Sequence, residues 1–95
     1  MLYITAAIKV KPEAIEALTD IFEPLVTATR REQGCHRYEA HRPTDDPATI
    51  IMLEEWQSEE SIQAHNQSEH FQQFITSIEP LLAEPLQIYI TQKFF

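Results

Sequence analysis

The chain of 95 residues has the length of one domain, and it carries 15 acidic against 7 basic residues for a formal charge of −8. That balance works against a nucleic-acid backbone or an anionic membrane as partner. A single cysteine, Cys35, excludes an internal disulfide and a thiolate metal cluster, and no apolar run approaches the roughly 20 residues that span a bilayer.

The opening Met1-Leu2-Tyr3-Ile4 has neither the basic lead nor the long apolar run of a signal peptide, so the expected compartment is the cytoplasm. Leu2, Ile4, Ala6, Ile8 and Val10 alternate with Tyr3, Thr5, Ala7 and Lys9, the period of a strand with one apolar face. Pro12 suits a first helical turn. From there Ile15, Leu18, Ile21 or Phe22, Leu25 and Ala28 recur at helical spacing, with Pro24 expected to bend the helix. Gly34, the only glycine, follows Arg30-Arg31 and reads as a left-handed helix stop.

Cys35 to Arg42 reads as a second strand, Pro43-Thr44-Asp45-Asp46-Pro47 as a turn, and Thr49 to Trp56 as a third strand. Ser58 can cap a short helix to Asn66, and Ser68 a longer one striped by Phe71, Phe74, Ile75, Ile78 and Leu82. Pro80 and Pro85 bracket its end, and Leu86, Ile88 and Ile90 mark a last strand.

Strand, helix, strand, strand, helix, strand over residues 1–95 predicts a single α+β domain. The expected form is a ferredoxin-like βαββαβ sandwich, an antiparallel sheet with its helices on one face. Tyr3, Thr5, Met52, Glu54, Trp56, Tyr89 and Thr91 are expected on the other face, too apolar to leave in water and too polar for a dry core. A second copy covering that face, with a partly polar cavity trapped inside, resolves the conflict and predicts a homodimer.

Chemistry-bearing residues gather in one segment: Glu54-x-Trp56, then His65, then Ser68-x-His70-Phe71. Each also has an ordinary structural reading. Trp56 could be core at a dimer seam, and His65 a packing residue. Glu54 could be tied to backbone or to Arg37, and His70 could serve local packing or capping. Cys35 reads as a small buried apolar residue and Tyr38 as packing. His36 and His41 could bind adventitious metal, but their spacing follows no recognised ligand set.

This combination resembles the signature of the antibiotic biosynthesis monooxygenase (ABM) family, including its quinol monooxygenase-like members. The resemblance runs from the first strand and Lys11-Pro12 through Gly34-Cys35-x-x-Tyr38 to the last strand. It implies a dimeric α+β barrel built from two ferredoxin-like units. It also implies an enzyme that oxidises a small quinol or polyphenol-type aromatic with O2, using no metal, flavin or haem.

Without a cofactor the substrate must supply the electrons, so the protein's tasks are to remove a proton, hold the ring and exclude water. On that reading His65, Trp56 and Glu54 are the catalytic candidates. Met52, Tyr3, Thr5, Ile62 and Tyr89 are the expected substrate contacts. Haem-degrading relatives of the fold carry a ligating histidine where Ile75 stands here, an asparagine at Ala7 and a tryptophan at His65, so haem does not fit. Two alternatives remain open. One is an isomerase or lyase on a small metabolite, signalling-sugar substrates included, with His65 as base. The other is a non-catalytic dimeric binder of small molecules.

Overall fold

The computed structural model describes residues Met1–Phe95. Four antiparallel strands, β1 (Leu2–Lys9), β2 (Cys35–His41), β3 (Thr49–Trp56) and β4 (Gln87–Thr91), form one sheet in the order β2-β3-β1-β4. Three helices, α1 (Leu18–Thr29), α2 (Glu59–Asn66) and α3 (Glu69–Ile78), complete a ferredoxin-like α+β sandwich.

The β1 alternation is realised as expected: Ile4, Ala6 and Ile8 are buried, while Thr5 and Lys9 are exposed. The register then fixes the face of every other strand, because residues directly opposite in an antiparallel pair share a face. Ile4 lies opposite Glu54, Ala6 opposite Met52 and Leu2 opposite Trp56. Met52, Glu54 and Trp56 therefore point toward the helices and are buried. This corrects their expected place on the bare face, which Tyr3, Thr5, Tyr89 and Thr91 do occupy. That outer face still carries half-buried Tyr3, Ile51 and Leu53.

Three local details depart from the sequence reading. A 3-10 turn over Pro12–Ala17 precedes α1, which accommodates Pro24 within its span. The longer helix that Ser68 starts, α3, stops at Ile78. A 3-10 turn over Glu79–Leu81 follows, and Leu82 instead bridges to Val10. Gly34 does not end a helix. The right-handed geometry of α1 stops at Arg30, and Gly34, at φ +88°, lies in the turn into β2. A Cβ there would come within 2.6 Å of the Ser61 Cβ, so glycine serves both the backbone angle and close contact with α2.

The core lies between sheet and helices. Leu18, Phe22 and Leu25 of α1 and Phe74 and Ile78 of α3 pack on the even-numbered residues of β1 and β3. Phe22 and Phe74 meet edge to face at 5.0 Å. No helix is long and apolar enough to cross a membrane.

Candidate active site

The sheet and helices do not close completely. A cavity of about 210 Å³ remains between them, walled by Ile4, Ala6 and Met52 of the sheet, Ile62 of α2, and Phe71 and Phe74 of α3. Its polar lining is confined to Tyr38, Glu54, His65 and Asn66. Ile88 and Ile90 of the edge strand β4 line its most exposed side.

Local signals place the histidines. Ser58 and Ser61 form a reciprocal capping box that starts α2, and His65 falls in its last turn. Ser68 then caps α3 through the Phe71 N–H, while its hydroxyl donates to the His65 carbonyl at 2.6 Å. The break between the helices is thereby fixed, with His65 on one side and His70 on the other.

Between them comes Glu32, from the turn after α1. One oxygen, Oε2, accepts from His65 Nδ1 at 2.7 Å and from His70 Nε2 at 2.8 Å. A carboxylate only accepts, so the Nδ1 of neutral His65 carries the proton and Nε2 keeps its lone pair. His65 is 2 % exposed and packs against Trp56 and Phe71, each with ring centroids 4.8 Å away. Burial pushes its pKa down, against the opposing pull of the Glu32 hydrogen bond and charge. The imidazole is thus neutral near pH 7, with Nε2 as its proton acceptor at the cavity wall.

Glu54 is the second ionisable group of the cavity. Its Oε1 accepts from Trp56 Nε1 at 2.9 Å. Burial raises its pKa from 4.5 to about 7, with the indole hydrogen bond opposing and the Glu32 charge adding to the rise. Tyr38 stands across the sheet from Glu54, placed there by a β-bulge between Cys35 and Arg37 that returns both Cys35 and Tyr38 to the helix face. Burial, then the Glu54 charge, holds the Tyr38 phenol well above its ordinary pKa, so it is a hydrogen-bond donor. Burial likewise pushes the Cys35 thiol up to about 11.

Of the residues expected at the site, Glu54, His65, Met52 and Ile62 line the cavity. Trp56 does not: it is fully buried behind His65 and Glu54 and supports both. Tyr3, Thr5 and Tyr89 lie on the opposite face of the sheet, away from the cavity. Arg37 also lies on that outer side, paired with Glu39 and Glu55 and not with Glu54. His36 and His41 are separately engaged, by Gln57 and Glu39. Sequence reasoning missed Glu32. Its one signal was a carboxylate at the carbonyl end of α1, where the helix dipole disfavours negative charge. Glu32, His65 and His70 also present three ligand atoms within 4.8 Å of one another, the one set of side chains placed to hold a metal ion.

Residues 1–77 match the family described as antibiotic biosynthesis monooxygenase. The chain is 35% identical over 92 residues, 97% of each chain, to YcnE of Bacillus subtilis, provisionally named a monooxygenase. It is 29% identical over 91 residues to YgiN of Escherichia coli, provisionally named a quinol monooxygenase, covering 82% of this chain and 85% of that one. A crystal structure of an antibiotic biosynthesis monooxygenase superimposes with a TM-score of 0.94 at 27% identity, over 98% of both chains. Sequence and fold together place this chain in the antibiotic biosynthesis monooxygenase family.

Proposed function

We propose that the protein is a cofactor-independent monooxygenase that oxidises a small quinol or polyphenol with O2. The observation that carries this reading is His65: Glu32 holds its Nδ1, leaving Nε2 as a base on a mostly apolar cavity. A quinol becomes a far better electron donor once deprotonated, and it can supply every electron the reaction needs. Quinol and O2 give hydroxyquinone and water, one oxygen atom entering the ring and the other leaving as water.

His65 takes the first phenolic proton. Glu54, with a pKa of about 7, accepts or returns the second. The Tyr38 hydroxyl donates to oxygen-borne negative charge as it develops. The apolar walls hold the ring and keep bulk water from the intermediate. Cavities of about 150 Å³ accommodate benzene, so about 210 Å³ suits a substrate of one or two fused rings.

The working form we propose is a homodimer joined through the outer sheet face, since half-buried Tyr3, Ile51 and Leu53 with exposed Tyr89 make that face apolar for a domain of this size. Light scattering at micromolar concentration should give twice the chain mass, and a persistent monomer overturns the dimer.

The decisive assay is oxygen uptake with a 1,4-naphthoquinol, corrected for autoxidation and run with EDTA present. Wild-type protein should consume O2 and form hydroxyquinone. His65→Ala should lose about 10²- to 10⁴-fold in rate, the contribution of a general base. No uptake above autoxidation across a panel of one- and two-ring quinols refutes the reading. The Glu54 and His65 pair also suffices for proton shuttling in an isomerase, and substrate isomerisation under anaerobic conditions would assign that chemistry instead.

A further inference from the structure

We propose that Glu32, His65 and His70 form a binding site for a divalent borderline metal ion, Zn2+ by its ligand preference, and that occupancy switches off the cavity base. Both histidine N–H groups converge on a single point, Glu32 Oε2, at 2.7 and 2.8 Å. Two imidazoles aimed at one position beside a carboxylate are the donors of a three-ligand zinc site, with water completing the tetrahedron. An ion at that point would draw each imidazole in by about 0.7 Å to the usual Zn–N distance of about 2.0–2.1 Å, while the carboxylate withdraws by about 2 Å to become the third ligand.

Charge favours the exchange. The Glu32 side chain is 15 % exposed, and its salt-bridge partners are the two imidazoles alone, with no lysine or arginine among them. Of the two arginines that immediately precede Glu32, Arg30 instead donates to the Tyr38 carbonyl. The His70 side chain is 23 % exposed, which gives an ion a route from solvent. Two nitrogen donors select zinc over magnesium or calcium, which prefer oxygen.

The consequence follows from the tautomer. Without metal, His65 carries its proton on Nδ1 and offers the Nε2 lone pair to the cavity. A metal ion takes the Nδ1 lone pair, so the proton on Nδ1 leaves to solvent and the neutral ring carries one on Nε2 instead. No electron is transferred. The cavity nitrogen changes from acceptor to donor and can no longer take a proton from a quinol. The inhibitory consequence rests on the proposed function; the binding site and the tautomer change do not.

The test uses the full tag-free chain. Calorimetric titration with Zn2+, and the visible spectrum of Co2+ in its place, should show one ion per chain. Glu32→Gln and His70→Gln, checked for fold by circular dichroism, should each weaken Zn2+ binding by at least about 100-fold, more than the loss of an outer partner. His36→Gln and His41→Gln should leave it unchanged. Long-range proton–nitrogen NMR of the histidine rings should show His65 passing from the Nδ1–H to the Nε2–H form as Zn2+ is added. Zn2+ binding that survives Glu32→Gln and His70→Gln, or that vanishes with His36 or His41, overturns the site. A His65 ring that stays Nδ1–H at saturating Zn2+ overturns the switch. Stoichiometric Zn2+ should also abolish naphthoquinol turnover. A chain that changes tautomer but never oxidises a quinol supports the site and refutes the proposed reaction.

Discussion

Glu54→Gln should stabilise this protein increasingly as pH rises from about 4.5 to about 7, and by a constant amount above that. Glu54 is 8 % exposed, and burial raises its pKa from 4.5 to about 7. The folded chain therefore holds this proton more tightly than the unfolded chain, which binds fewer protons between those two values. Stability falls as pH rises through that window and levels off above it. At 1.36 kcal/mol per unit, the burden of the ionised carboxylate reaches about 3 kcal/mol.

Glutamine keeps an oxygen for the Trp56 N–H and carries no charge. Variant and wild type should be about equally stable near pH 4. Above pH 8 the variant should lead by about 3 kcal/mol, a Tm gain of about 15 °C for a domain of this size. Urea unfolding midpoints from pH 4 to 9 at one fixed protein concentration test this, the concentration being fixed because self-association shifts the midpoint. A difference that is constant across pH, or a variant that is weaker at pH 8.5, refutes the reasoning.

Trp56→Phe should remove the hydrogen bond that restrains the Glu54 pKa, moving the pH window of wild-type destabilisation upward in the same urea series. Gly34→Ala should cost about 1–3 kcal/mol, because the left-handed backbone angle and the Ser61 Cβ both oppose a side chain; a neutral result would deny both. Thr29→Val should stabilise by about 1 kcal/mol in thermal unfolding. The fully buried Thr29 hydroxyl lacks a hydrogen bond of ordinary geometry although the Tyr38 hydroxyl approaches it. Cys35, with its pKa at about 11, should react with iodoacetamide at pH 7.5 more slowly than free cysteine, and equal rates would refute its burial in a repelling field.

Much of the chain's architecture is local and was legible in its residues. The β1 alternation, the Ser58 and Ser68 caps, and the turn between β2 and β3 each depend on neighbours within a few positions. Together with the spacing of Glu54, Trp56, His65 and His70, they gave the element order and the family. The faces of β3 were not legible in the same way. Its two alternating sets, Ile50-Met52-Glu54-Trp56 and Ile51-Leu53-Glu55, each mix apolar residues with one carboxylate, so periodicity cannot choose between them. Only the pairing of Ile4 with Glu54 and Leu2 with Trp56 decides, since a slip of one residue would reverse every side chain. Glu32 was beyond local reading for a related reason. Its partners lie 33 and 38 residues away in sequence, and nothing in a turn after a helix announces which histidines the folded chain will bring to it. The sequence set the chemical groups and their local frames; the tertiary structure alone decided which ones meet, because long-range contacts form only when the sheet register and the helix packing are satisfied together.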